Sequence, residues 1–290
     1  MAVASHAWGW LRRNALLIYA GLAVAYMLIP IAVIAVFSFG ATPQGKLTFG
    51  LNDGFTTEYW SSAFSLPELN EALFTSLRLA ALATVISTAI GTLMAIALVR
   101  HTFRGRRLAN LLIVIPMATP EVVIGASLLS MFIYYTFALG FTTLLIAHVM
   151  FSISFVVVVV RSRLIGFDRN LEEAAADLGA TPLATFRTVT LPLLAPGIVA
   201  AALLAFALSI DDFVISNFNS GTTVTFPLYV YGVSLRGIPV QVNVLATMLF
   251  IVTAIAAALV LIQQRRAERM AAVRPEPEAP TTLTPSATPA

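Results

Sequence analysis

The chain has 290 residues, of which 59% are hydrophobic and only 11% charged, against about a quarter charged in a soluble domain. It has no cysteine, which excludes disulfides and thiolate metal sites, and its three histidines, His6, His101 and His148, include no pair at zinc spacing. The net charge of +3 is small, and its basic residues lie beside apolar runs, a pattern of membrane topology rather than of nucleic-acid binding.

Residues 1–15 form a head carrying Trp8, Trp10, Arg12 and Arg13. The run Leu16–Phe37, within a first span of 16–38, can cross a hydrocarbon core that takes about 20 residues. It exceeds the roughly 7–15 apolar residues of a signal peptide, which favours a retained helix. Pro30 is expected to kink it. Residues 39–70 are polar and read as an external loop with a short amphipathic segment. A core over 71–263 then holds five further spans: Leu73–Leu98, Leu108–Ile133, Thr142–Val160, Leu193–Ile215 and Val242–Ile262. In the third of the six, Pro116 and Pro120 should break the hydrogen-bond ladder, with Thr119 capping the restart at Glu121. Residues 216–241 read as a polar loop, and 264–290 as a disordered tail rich in Pro, Ala, Thr and Glu.

Six spans put both termini on one side, and the basic residues decide which. Arg12, Arg13, the Arg100–Arg107 turn, the Arg161–Arg187 stretch and the tail arginines share that side. The opposite loops hold only Lys46 and Arg236, and Arg78 lies near the start of a span. The positive-inside rule makes the termini cytoplasmic.

The cytoplasmic stretch 168–192 is a non-apolar break between two strongly apolar segments. Asn170 as N-cap with Glu173 three residues on would form a capping box, and Gly179 offers a left-handed stop. Leu171, Ala174, Ala175 and Leu178 share one face. Such a helix is either a lid on its own protein or a contact for another chain. Glu173-Ala174-Ala175, Gly179, Val189 and Leu191-Pro192, at fixed spacing, resemble the EAA signature of bacterial ABC-importer permeases, with Val for the usual Ile. The resemblance implies an all-α type I permease fold. It also implies a coupling helix docked on a separate ATPase through Glu172, Glu173, Ala174, Ala175, Asp177, Leu178 and Gly179, with Leu191 and Pro192 feeding the contact into the fifth span. The chain has no GxxxxGK[ST] cradle. No cofactor is therefore expected on it, and ATP and Mg would be held by the partner ATPase.

Glu121, Asp211 and Asp212 stand out as acids inside apolar sequence, where each is costly and reads as a substrate or ion pathway. The competing readings are a dipole-favoured helix start for Glu121, and a fifth span ending near Ile210 with the aspartates wet or capping the next segment. The apolar Phe213-Val214-Ile215 favours a helix that continues. Acids without intramembrane basic partners point to a cationic substrate. Ser209–Ser216, Phe226-Pro227-Leu228-Tyr229, Asn243–Thr247, Gly54–Thr57 with Trp60, Phe103-Arg104-Gly105 and Thr119-Pro120-Glu121 resemble the second permease subunit of spermidine/putrescine ABC importers. That resemblance implies a substrate pathway touching Glu121, Ser209, Asp211, Asp212 and Trp60. It implies as partners a homologous permease, two ATPase subunits and an extracytoplasmic polyamine-binding protein, in the inner membrane and without nucleic acid. An importer of another small solute, a stand-alone ion-coupled transporter and a membrane enzyme are the alternatives; for the last, the scattered histidines supply no clustered catalytic set.

Overall fold

The computed structural model describes residues 2–41, 54–166, 168 and 170–272. Lys46 and Asp53 of the first loop, and the tail beyond Ala272, lie outside the described residues. The described chain is helical, with one isolated bridge between Gly40 and Phe55. It divides into two compact units.

One unit holds α1 (Ala2–Phe37), α2 (Glu58–Ser61) and α12 (Val240–Ala272). α1 takes in the head as well as the expected first span, because nothing between Ala2 and Pro30 breaks a helix. Its Leu16, Leu17, Tyr19 and Leu22 are exposed, as side chains turned to lipid would be. The Gly40–Phe55 bridge brings the first loop back on itself, and the Thr56 N–H donates to the Phe39 carbonyl at 2.8 Å. α12 runs past the expected end at Ile262 and into the segment read as a disordered tail. The reason is local: Gln263 to Ala272 are good helix formers, and the first breaker is Pro275.

The other unit runs from Phe64 to Pro239. It contains α3 (Pro67–Arg100), α4 (Arg106–Ala118), α5 (Glu121–Tyr134), α6 (Phe141–Ile165), α7 (Asn170–Asp177) and α8 (Pro182–Thr185). A wide π turn, Phe186–Thr190, joins α8 to α9 (Leu191–Ile210), followed by α10 (Val214–Asn219) and α11 (Phe226–Ser234). The π turn lies immediately ahead of Pro192, whose ring and missing N–H disturb the regular ladder.

Among the described residues, Asn14–Phe37, Pro67–Arg100, Phe141–Ile165 and Pro182–Ile210 are each long and apolar enough to cross a membrane. α4 and α5 qualify as a pair but are bent by 111°. The prolines announced that break, yet Thr119 does not cap the restart as expected. Its hydroxyl turns back to the Ile115 carbonyl at 2.7 Å, and Pro120 occupies the cap position. The expected fifth span, Leu193–Ile215, also needs correction. The helix ends at Ile210 and a separate short helix begins at Val214.

α3, α6 and α9 form the packed centre of this unit. Ala95 and Leu98 of α3, Val156, Val157 and Val160 of α6, and Ala201 and Ala205 of α9 meet in one buried cluster. Lipid tails are as apolar as these side chains, so close dispersion contact rather than release of water holds such helices together. Small residues permit it. At Gly91 an added Cβ would lie 2.6 Å from Val156 Cγ1.

Candidate functional site

α7 is a short polar helix between two long apolar ones. Its start is capped from further upstream than expected. The Asn170 N–H donates to Asp168 Oδ1 at 3.0 Å, while Asn170 is itself the first residue of the helix. Asp is as good a cap as Asn, and the residue two places upstream takes the role. Glu173, expected to complete a capping box, stays exposed. The far end follows expectation. Gly179 has φ +83°, the Gly179 N–H donates to the Ala176 carbonyl at 2.9 Å, and the Ala180 N–H to the Ala175 carbonyl at 3.0 Å. This pair of bonds is the Schellman stop.

The helix has an inner and an outer face. Glu172 Oε1 accepts from Arg100 Nη2 at 2.9 Å and from Thr190 Oγ1 at 2.7 Å. Arg100 ends α3, and Thr190 lies in the π turn at the root of α9. One carboxylate thus ties α7 to two membrane helices. Leu171 and Leu178 turn outward at 48% and 90% exposure, with Ala174 and Asp177 exposed between them. Leu191 is also exposed, and Pro192 sits in the first turn of α9.

A second polar centre lies at the opposite end of α9, which with α8 and the π turn spans Pro182–Ile210, about 40 Å at 1.5 Å per residue. There the chain breaks at Asp211-Asp212-Phe213 before α10. Asp212 caps the new helix. Its Oδ1 accepts from the Ile215 N–H at 3.2 Å and its Oδ2 from the Ser216 N–H at 2.8 Å. His148, on α6 and 2% exposed, stands across the break. Its Nδ1 is 2.8 Å from Ser209 Oγ, and its Nε2 is 3.1 Å from Ser216 Oγ and 3.4 Å from Asp212 Oδ2. The Asp212 side chain is only 5% exposed. Asn219 Nδ2 donates to the Gly125 carbonyl at 3.3 Å, which draws α10 onto α5.

Glu121 is the first residue of α5, the helix to which α10 is tied through Asn219. The three acids named from the sequence therefore gather at one joint. Asp211 and Glu121 are exposed there, and among the described residues none of the three forms a salt bridge with Lys or Arg. Ser209 belongs to the buried side of the joint. Trp60 lies in the other unit, stacked on Phe39 with ring centroids 5.1 Å apart.

Residues 87–269 match the family model described as binding-protein-dependent transport system inner membrane component. The chain belongs to that family of ABC-importer permeases. It is 39% identical over 231 residues to the spermidine/putrescine transport system permease protein PotC of Escherichia coli K12, covering 79% of this chain and 86% of that one. To the putrescine transport system permease protein PotI of the same organism it is 35% identical over 236 residues, covering 79% and 83%. The fold is shared with a solved bacterial ABC transporter involved in the import of the acidic polysaccharide alginate, at TM-score 0.64 and 16% identity, over 90% of this chain and 99% of that one. The permease is thus an all-α inner-membrane transport subunit.

Two features of the permease escaped the sequence reading. His148 was set aside because it lacks a metal partner, although the rule that flagged the acids, that ionisable groups inside apolar spans are costly, applies to it equally. Glu172, grouped with the docking residues, turns inward to Arg100 and Thr190.

Proposed function

We propose that this permease forms half of the pathway of a polyamine importer, paired with a homologous permease. In this reading two ATPase subunits hold ATP and Mg, and an extracytoplasmic binding protein delivers spermidine or putrescine to the outer mouth. The curated relatives with these substrates in their names support the class. The observation that carries it is the exposed acids of the joint, Glu121 and Asp211, which like the buried Asp212 form no salt bridge with Lys or Arg among the described residues. Exposed carboxylates attract a polycation and repel anions.

The termini and α7 face the cytosol, and the α4–α5 pair and α12 supply the third and sixth crossings. Closure of the ATPases moves α7 as a rigid body, and the spans rock between outward and inward access. Glu173, Ala174, Leu178 and the other outward residues of α7 meet the ATPase groove. Glu172 hands the displacement inward, and Leu191 and Pro192 set the angle at which it enters α9. Gly179→Val tests this arm. Nothing lies within 4 Å of a Cβ there, so the penalty is purely that of φ +83°, about 1–2 kcal/mol for a branched residue. Uptake per molecule of permease is expected to fall about tenfold with membrane abundance unchanged; full uptake would remove the docking role of α7.

The substrate class is tested with the complete importer in proteoliposomes loaded with ATP. Labelled spermidine is expected to accumulate, excess putrescine to compete, and a neutral or anionic solute of similar size not to compete. Accumulation without ATP would instead indicate an ion-coupled transporter.

A further inference from the structure

The neighbouring aspartates are held in unlike ways, and the difference has a cause on another helix. Both Asp212 oxygens are occupied by backbone N–H groups of α10, and the side chain is nearly sealed. Asp211, one residue earlier, is exposed, as is Glu121 across the joint. Between the end of α9 and the start of α10 the regular ladder is interrupted, so the chain alone does not fix the angle at which Asp211 leaves the helix.

His148 bridges that gap. Its two ring nitrogens point to opposite sides, one to Ser209 in the last turn of α9 and the other to Ser216 in the first turn of α10. The pattern assigns one tautomer. The Ser209 hydroxyl donates to Nδ1, and Nε2–H donates to Ser216 Oγ and faces Asp212 Oδ2. Every polar atom of the ring is thereby satisfied in a site with almost no access to solvent.

We propose that His148 is a positioning residue: by clamping Ser209 and Ser216 across the break, it keeps Asp212 inside the protein and aims Asp211, with Glu121, at the substrate. This rests on the cationic-substrate reading above. Asp211 and Glu121 are then the specificity-determining acids, and Asp212 is a strut. The two members of an apparently equivalent Asp pair have different tasks.

The test uses the complete importer with spermidine as probe, normalised to the permease present in the membrane. Asp211→Asn and Glu121→Gln are expected to raise half-saturating spermidine about tenfold each, the order expected for loss of a charge-assisted contact. Asp212→Asn keeps one acceptor for the two backbone N–H groups and turns its NH2 against the other; it is expected to lower the amount of permease in the membrane, and to shift half-saturation less than Asp211→Asn does. His148→Leu is expected to raise half-saturation like Asp211→Asn, but to add nothing in the Asp211→Asn background. A merely structural histidine would give additive losses. His148→Gln, which restores a donor toward Ser216, is expected to recover part of the loss. A substrate-independent reading uses the absence of native cysteine: a small water-soluble thiol reagent is expected to modify Asp211→Cys far faster than Asp212→Cys. Equal reactivity, additive double-variant effects, or a larger shift in half-saturation for Asp212→Asn than for Asp211→Asn would overturn the proposal. If the unaltered importer carries no spermidine, the polyamine reading fails, and the labelling rates alone decide this one.

Discussion

Glu172→Ala is expected to cut ATP-driven uptake at least about tenfold while the permease remains in the membrane and ATP is still hydrolysed. Its carboxylate accepts from both Arg100 and Thr190, and the Arg100 and Glu172 side chains are only 12% and 24% exposed. Hydrogen bonds to a charged group at such sites are worth about 1.5–3 kcal/mol, more than a fully exposed pair would give. The variant also leaves a partly buried guanidinium without this acceptor. α7 would keep its cap at Asp168 and its stop at Gly179, so the helix itself should survive. What disappears is its grip on α3 and on the root of α9. Glu172→Gln keeps an acceptor for Thr190 and is expected to lose less. Measuring ATP turnover and uptake on the same proteoliposomes checks this: a proportional fall in both would mean that Glu172 serves assembly rather than transmission.

Gly91→Val should be the most damaging single change in the packed centre. The Cβ alone would lie 2.6 Å from Val156 Cγ1, 2.8 Å from Val156 Cβ and 3.3 Å from the Ile153 carbonyl. Val156 is itself fully buried against α3 and α9, so it has nowhere to go, and α3 and α6 must separate. Overpacking of this kind costs about 1–3 kcal/mol and sometimes more, and in lipid no gain from water release offsets it. Purified yield and thermal midpoint in detergent are both expected to drop. Gly232→Ala, where nothing lies within 4 Å, is the matched control and should leave both unchanged. A normal midpoint for Gly91→Val would show that the α3–α6 contact is looser than described.

What could be read in the sequence was what local chemistry determines. The stop at Gly179 was legible because only a residue free to take positive φ ends a helix that way. The three acids were legible because charge inside apolar sequence is rare. Pro116 and Pro120 told of a break, but no local signal encodes a bend of 111°. The end of α9 at Ile210 stood only as the competing reading, because Phe213-Val214-Ile215 looks like continuing helix. The break is fixed by Asp212 turning to cap α10 and by His148 on another helix. Long-range pairing hid the rest. Arg100 lies 72 residues from the carboxylate it binds, and His148 lies 61 and 68 residues from its two serines. No spacing rule reaches that far.

The π turn at Phe186–Thr190 has a consequence for register. It packs one more residue into a turn than an α-helix would, closed by the Leu191 N–H reaching back to the Phe186 carbonyl. Each residue turns a helix by about 100°. Removing a single residue there would swing α8, and with it the exposed face of α7, a quarter-circle or more around the axis of α9. The bare side of Leu178, 90% exposed, would then face a different direction around that axis. Insertions and deletions in these five positions should consequently be forbidden even where ordinary side-chain exchanges are harmless.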